Sequence, residues 1–486
     1  MKHYEELTGG EGRRVFYRAE RFDAKTLMSS ISPVINLENE TFDLFDISMS
    51  GISFVSSEGA SWLDEMNKDV PLSLKLGSTE VFTGNGKIRR IEPHDSQHKV
   101  AIELTKGFLD IRKILDRHDD LALQQAVTTG LTDESHLVPA EYKQSISDAV
   151  YMLRSIHKVL DKVEKDLNRE DARRDDRIKD IILAYEVKAV ARWREISKSC
   201  LRITQSLQGD EAAIAATKRY TELVLTPELL TGASWNRAYT KPLGYPGDYQ
   251  VMNYAYKLML EGATAYEKFC HRLGTSTGEF IATRMTMTKQ AIASLSSKAA
   301  AKGQKSFKVA SLGCGPAQEV ANFLKSMSVP IYIDFTLIDQ DHDALSFAYK
   351  NTYPEVARLD GRANVKCLHA TFLEFLATGK LFRKLEKQDL IYAVGLADYL
   401  GTKRATKLVK DLYANLSPGG TLMIGCMRTS EESLEWQVEY VVDWTLVHRD
   451  ESEMRALAVD IERDAKREIV VDSTGHCHLL ILTKPE

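Results

Sequence analysis

The sequence predicts a multidomain protein: an N-terminal β-barrel, a central α-helical segment and a C-terminal α/β domain with a mostly parallel sheet. Three observations predict this. Between 12 and 112 the chain runs in short alternating polar and apolar stretches split by turn residues, as half-buried strands do. Between 113 and 274 the apolar residues recur at helical spacing. From 275 to 486 apolar strands alternate with helical stretches, the pattern of a parallel sheet covered by helices. At 486 residues the chain has room for roughly three domains of the usual size.

Composition narrows the function classes. Lys plus Arg is 64 and Asp plus Glu is 69, for a formal charge of −5, so no global attraction draws the chain to nucleic acid. With 43% hydrophobic and 27% charged residues it has ordinary globular composition, too apolar for disorder. The six cysteines are scattered with no C-x-x-C pair, which fits free thiols in a reducing cytoplasm and implies no metal site. The first residues lack the apolar core of a signal peptide, and no stretch has the apolar length of a membrane span. A cytoplasmic protein without nucleic-acid partners is expected.

In the first part, the runs 38–54, those around Val81 and 99–104 read as strands of a small barrel or sandwich. Arg13, Arg14 and Arg18, with Arg21 nearby, precede the first strand as an R-x-x-x-R array. Planar guanidinium forks suit phosphates and guanine edges and stack on flat rings. About thirty residues on, Asp46-Ile-Ser48-Met-Ser-Gly51 is a D-x-S-x-x-G turn whose short polar side chains can line a tight ligand loop. In this order and separation the two motifs resemble the PilZ domain over residues 12–112. The resemblance implies binding of cyclic di-GMP, with Arg14 and Arg18 gripping phosphate and guanine, Arg13 assisting, and Asp46, Ser48 and Gly51 meeting the other guanine.

In the second part, Ile146, Leu153, Leu160 and Leu167 repeat every seven residues, with Val150, Ile156 and Val163 on the neighbouring stripe. This stripe requires a partner helix, within the chain or across a homodimer. The charged stretch 161–180 reads as a solvated face or a break between helices.

In the third part, strands are expected at 307–312, 335–338, 389–394, 421–426 and 478–483. Gly313-Cys-Gly315 follows the first of these and precedes a helix beginning near Gln318, so backbone can approach a ligand closely there. The next strand ends at Asp339-Gln-Asp341, where this class of fold puts an acid against ribose hydroxyls. A nicotinamide enzyme favours a third glycine where this chain has Gln318, so a cofactor without a pyrophosphate fits better. With Pro418-Gly-Gly420 leading into a later strand, residues 275–486 resemble the class I S-adenosylmethionine-dependent methyltransferases, a Rossmann-like seven-stranded fold. The resemblance implies S-adenosylmethionine as cofactor, Gly313 and Gly315 around its methionine moiety, Asp339 on its ribose and Asp341 as a second candidate. Where the family often has an acid for the adenine amine, this sequence reads Cys367-Leu-His-Ala-Thr371.

Lys241-Pro-Leu-Gly-Tyr-Pro-Gly-Asp-Tyr249, Gly395-Leu-Ala-Asp-Tyr-Leu400 and Glu439-Tyr-Val-Val-Asp-Trp444 with His448-Arg449 resemble a narrower subfamily that makes 3-hydroxypalmitic acid methyl ester. It implies a small-molecule acceptor such as the carboxyl group of a hydroxy fatty acid. Methyl transfer from a sulfonium is an in-line displacement that needs alignment and exclusion of water. A carboxylate acceptor is already ionised and needs only orientation, for which Tyr245, Tyr249, Tyr399 and Arg449 are candidates. A hydroxyl or amine acceptor needs a base such as His448, Asp398 or Asp443. Tyr245, Asp398, Tyr399 and His448 are the candidate catalytic residues. Trp444 and Tyr440, at helical spacing, read as core, and His476-x-His478 as a structural strand pair. The resulting expectation is a cyclic di-GMP-responsive methyltransferase, and the rival is a cyclic di-GMP receptor whose methyltransferase fold docks a partner without catalysing.

Overall fold

The computed structural model describes residues 22–28, 30–37, 40–56, 66–94, 97–131, 134–167, 172–370, 374, 381 and 386–486. Arg13, Arg14, Arg18 and Arg21 lie outside the described residues. The chain divides into two compact units, 1–133 and 134–486.

The first unit contains β1 (Phe22–Asp23), the helical turn α1 (Ala24–Leu27), β2 (Pro33–Leu37), β3 (Glu40–Ser48), β4 (Gly51–Ser56), β5 (Asp69–Leu76), β6 (Thr79–His94), β7 (Gln97–Leu104) and helix α2 (Ile111–Leu131). The strands are ordered β1-β3-β2-β5-β6-β7-β4, and β4 also pairs with β3, so the last six close into an antiparallel barrel with β1 on its rim. Closure removes the unpaired edges that an open sheet exposes. Alternation puts Ile35, Leu44, Ile47, Phe54, Leu74, Ile88 and Val100 inside, each no more than 1% exposed.

The second unit begins with the helices α3 (Ala140–Asp166), α4 (Arg174–Gln205), α5 (Glu211–Val224), α6 (Thr226–Leu229), α7 (Ala233–Thr240), α8 (Tyr249–Lys257), α9 (Ala265–Thr277) and α10 (Glu279–Ala301). Ile146, Leu153 and Leu160 of the heptad stripe are buried in one core with Ile178, Ile182 and Trp193 of α4. The stripe therefore finds its partner helix within the chain. That core extends to α7, α9 and residues 436–444 and centres on three tryptophans: Trp193 lies 5.9 Å from both Trp235 and Trp436.

The rest of the unit is a sheet of β8 (Ser306–Leu312), β9 (Tyr332–Asp339), β10 (Ala363–His369), β11 (Gln388–Ala393), β12 (Leu416–Met427), β13 (Lys466–Val471) and β14 (Cys477–Thr483). Helices α11 (Gln318–Lys325), α12 (His342–Arg358), α13 (Thr402–Ala414) and α14 (Glu451–Ala456) cover it. The order is β10-β9-β8-β11-β12-β14-β13, with the first five strands parallel and β14 antiparallel to both neighbours. The fold is thus a doubly wound seven-stranded α/β sheet, and the strand order reverses between β8 and β11. In such sheets ligands collect in the crevice beyond the carboxyl ends of the strands at that reversal. The five expected strands all form. Strand β13, unmarked in the sequence reading, is an edge strand of mixed charge with no fully buried residue. Among the described residues no helix is long and apolar enough to cross a membrane.

Candidate active site

The turn after β8 is built for close backbone approach. Gly313 and Gly315 have φ of 62° and 51°, the left-handed region that favours glycine, and Ala317 follows at 48° immediately before α11. A Cβ on Gly313 or Gly315 would meet nothing within 4 Å. Glycine is therefore required for backbone shape, and the space beside it is open to a ligand. Strain at a non-glycine residue such as Ala317 persists only where surrounding contacts enforce it. Here the Cys314 N–H donates to the Ile338 carbonyl and the Ala317 N–H to the Cys314 carbonyl.

Asp339, at the end of β9 and 6% exposed, fixes the same loop. Its carboxylate accepts from Gly315 N at 2.8 Å and from Asp341 N at 3.0 Å. Burial holds it above the usual carboxylate range, against the pull of those two donors. Each oxygen keeps a lone pair for a further donor. Asp341 caps α12, and its other oxygen accepts from the Tyr245 hydroxyl at 3.2 Å. Burial, with Asp339 and Asp341 close by, pushes the Tyr245 phenol far up and keeps it a donor.

Tyr245 belongs to Gly244-Tyr-Pro-Gly-Asp248, and the structure explains that turn. Asp248 is fully buried, caps α8 by accepting from Gln250 N and Val251 N, and is paired with Arg237 at 2.7 Å. A Cβ on Gly247 would stand 2.5 Å from Trp444 Cζ2 and 2.8 Å from the Tyr399 hydroxyl. Glycine there lets Trp444 and Tyr399 close over the crevice, joined by a 3.2 Å bond from the indole N–H to the phenol oxygen.

These residues share one cavity of about 310 Å³, lined by Tyr245, Gly247, Phe280, Arg284, Gly313, Gly315, Asp339, Asp398, Tyr399 and Trp444 among others. Six of the eight residues proposed for catalysis and the methyl donor thus converge. Asp341 sits just behind the cavity through Tyr245, and His448 is not in the lining. The His448 Nδ1 lies 3.3 Å from the Leu446 carbonyl and its buried Nε2 has no partner. Asp398 turns its carboxylate to structure: it accepts from Met427 N at 2.5 Å and pairs with Arg284 at 3.4 Å. Tyr399 keeps 37% of its surface exposed through the cavity, while burial of its hydroxyl and the nearby Asp398 hold the phenol far above its usual value.

Arg284 escaped the sequence reading. It projects from α10 on the stripe Phe280, Arg284, Thr288, Ile292, is 7% exposed and donates to the Val394 carbonyl at 2.7 Å. An arginine on an otherwise core-facing stripe is the signal that marks it. It also lines a smaller adjoining cavity of about 60 Å³ with Gly313, Gly315 and Glu319. Glu319 accepts from the Tyr392 hydroxyl at 2.7 Å, and burial raises its carboxyl.

The other candidates fall elsewhere. Arg449 is 1% exposed and ties the carbonyls of Ala397 and Leu400, so it braces the turn that carries Asp398 and Tyr399 rather than facing a ligand. Asp443 is 71% exposed and paired with Lys241. Trp444 and Tyr440 both pack in the helical core, as their spacing suggested, and Trp444 also lines the cavity. His369, where an acid was sought, stacks on His342 with ring centres 3.9 Å apart. Among the described residues no group of three or more His, Cys, Asp or Glu side chains could hold a metal ion.

In the first unit, Asp46 and Ser48 end β3 and Gly51 begins β4. Asp46 pairs with Lys99 at 2.6 Å, and the Ser48 hydroxyl donates to the Gly51 carbonyl at 3.0 Å. A Cβ on Gly51 would lie 2.6 Å from the Ile102 carbonyl oxygen, so close strand packing demands glycine.

No protein-family model matches the chain, and no curated protein matches it. Solved structures with similar folds include a possible exported protein from Bordetella parapertussis, at 17% identity over 54% of this chain and 87% of that one, TM-score 0.39. Another is the N-methyltransferase NodS from Bradyrhizobium japonicum WM9 in complex with S-adenosyl-L-homocysteine, at 18% identity over 41% and 87%, TM-score 0.29. A third is magnesium protoporphyrin IX methyltransferase from Synechocystis PCC 6803, at 12% identity over 51% and 98%, TM-score 0.33. Likeness at these TM-scores bears on neither substrate nor cofactor.

Proposed function

We propose that the second unit transfers a methyl group from S-adenosylmethionine to a small-molecule acceptor, a carboxylate such as that of a hydroxy fatty acid, and that the barrel binds cyclic di-GMP and sets this activity. The observation that carries the enzyme reading is the single cavity at the sheet's reversal point, which Gly313, Gly315, Asp339, Tyr245, Asp398 and Tyr399 all line.

The residues fit the cofactor. The open cradle beside Gly313 and Gly315 admits an approaching methionine moiety, Asp339 has acceptor capacity left for ribose hydroxyls, and Arg284 offers a cation to a carboxylate. Bound there, S-adenosylmethionine supplies an electrophilic methyl carbon on a sulfonium. The protein's own part is alignment and dryness. A carboxylate acceptor is ionised at neutral pH and needs no base, in keeping with a cavity that His448 does not line. Tyr399, held protonated, is a donor that can orient it. Phe280, Trp444 and Leu446 exclude water from the same space. Asp398 acts as a positioning residue, holding the end of β12 through Met427 N and, by its own carbonyl, Val447 N.

The complete R-x-x-x-R and D-x-S-x-x-G motifs support the messenger reading, as does a barrel that brings Asp46, Ser48 and Gly51 to one turn. Control requires the messenger to bind two conformations with different affinity, because equal affinity shifts nothing. The test is a calorimetric titration of S-adenosylhomocysteine into the full chain, with and without saturating cyclic di-GMP. Binding whose affinity changes with the messenger is expected. Absence of homocysteine-nucleoside binding refutes the enzyme reading, and identical titrations refute the coupling.

A further inference from the structure

Behind the crevice lies a second cavity of about 70 Å³ that nothing in the proposed chemistry uses. It is lined by α7, α8, α9, α10 and residues 434–444, and it meets the crevice at Phe280 and Trp444, which line both. Its walls are mostly apolar, and most of their polar atoms are already engaged. The Trp235 indole donates to the Cys270 carbonyl, Ser234 to the His271 carbonyl, Thr275 to the Arg272 carbonyl and Thr277 to the Gly274 carbonyl. The Gln437 oxygen accepts from Trp193 and the Trp444 indole donates to Tyr399. A polar ligand would lose its hydration there and recover few hydrogen bonds, whereas an apolar chain would gain.

Away from the crevice the cavity is lined by Thr277, Leu434 and Gln437. Their other side faces a polar groove with Arg194, Lys198, Glu279, Glu432 and His476. A chain longer than the cavity would have to emerge among charges. On the measure in which one water takes roughly 10–15 Å³, the cavity holds about five waters' worth of chain.

From this geometry, and resting on the methyltransferase reading above, we propose that the cavity beyond Phe280 and Trp444 holds the acceptor's unbranched apolar tail, and that the floor of Thr277, Leu434 and Gln437 sets the longest tail accepted. The acceptor is then an amphiphile with its methylated group beside Tyr399 and its tail pointing away from Gly313. Gly278 is the position at which to probe this. It lines the cavity, has an ordinary negative φ, and a Cβ there would make only ordinary contacts, the nearest 3.5 Å away. A larger side chain at 278 fills the cavity without straining the backbone.

Two readouts test the proposal on the full-length protein. The first is kcat/KM against straight-chain 3-hydroxy acids of increasing length. It should rise roughly fourfold for each methylene that enters the cavity, then fall. Gly278→Leu should move the optimum to shorter chains while sparing the shortest, and Leu434→Ala should move it to longer ones. The second needs no turnover. Trp235 and Trp444 line the cavity, so a fatty acid brominated at its tail should quench tryptophan fluorescence in the presence of S-adenosylhomocysteine, and Gly278→Leu should abolish that quenching. Quenching lost in Gly278→Leu supports the tail site even if no acid is methylated, in which case only the carboxylate reading falls. Quenching that is absent, or equal in the two proteins, overturns the tail site. So does a chain-length profile that Gly278→Leu leaves unchanged in an active enzyme.

Discussion

Replacing Asp339 by Asn gives the sharpest test of the proposed cofactor site. The carboxylate accepts from Gly315 N at 2.8 Å through one oxygen and from Asp341 N at 3.0 Å through the other. Asn keeps the shape but must turn its NH₂ toward one of these donors, so one loop contact becomes donor against donor. Hydrogen bonds to a charged partner contribute about 1.5–3 kcal/mol each, so losing one ligand contact and loosening the loop should weaken S-adenosylhomocysteine binding by roughly 10- to 100-fold or more. Stability should change less, because the buried carboxylate already carries a desolvation cost that Asn avoids. Calorimetry reports the affinity and a thermal melt reports the fold. The wild-type affinity should also weaken as the pH falls, since Asp339 holds its proton more firmly than an ordinary carboxylate. Unchanged nucleoside affinity in a folded Asp339→Asn protein would refute the placement of the ribose.

Gly247→Ala places a methyl 2.5 Å from Trp444 and 2.8 Å from the Tyr399 hydroxyl. It should cost about 1–3 kcal/mol in a urea melt and lower kcat, the crevice roof being pushed open. His271 is fully buried, and burial, with Arg272 adding to it, pushes its pKa down to about 4 from 6.5. The unfolded chain therefore binds the extra proton between those values, so stability is full above pH 6.5 and declines by about 3 kcal/mol as the pH falls toward 4, then levels. Urea melts of wild type and His271→Asn across that range should diverge accordingly. Asp46→Ala removes the partner of Lys99 and should cut cyclic di-GMP affinity at least tenfold, by calorimetry, in a barrel that still melts cooperatively. Leu153→Ala, fully buried within the helical core, should lower stability by about 2–5 kcal/mol, and a loss below 1 kcal/mol would contradict the packing of the heptad stripe.

What the sequence disclosed and what it hid have a common physical basis. Short-range patterns were legible: the glycine turn after β8 and the acid after β9 are local consequences of strand, turn and helix. Heptads at 146, 153 and 160 announced a helix that must find a partner, and α4 supplies it from 174 onward. Strand β13 was missed because its first half is charged, Lys466-Arg-Glu468, and its apolar run, Ile469-Val-Val471, is only three residues long on an edge with no buried residue. Arg284 was missed because its meaning depends on Val394 and Asp398, more than a hundred positions away. Trp444 belongs to the core, as its spacing suggested, but its second role in closing the crevice shows only in the approach of Gly247. The tail cavity had no sequence signature, since α7, α8, α9, α10 and the segment after β12 each contribute only part of its wall.

Turnover decides whether the crevice at the β8 and β11 reversal carries the proposed methyl transfer. The full-length protein should be incubated with methyl-labelled S-adenosylmethionine and a panel of straight-chain hydroxy acids, with cyclic di-GMP present and absent. Transfer of label to an extractable ester, with one S-adenosylhomocysteine formed per ester and a rate that the messenger alters, is the predicted result. Binding of S-adenosylmethionine with neither label transfer nor S-adenosylhomocysteine formation in either condition would contradict it and leave a receptor in place of an enzyme.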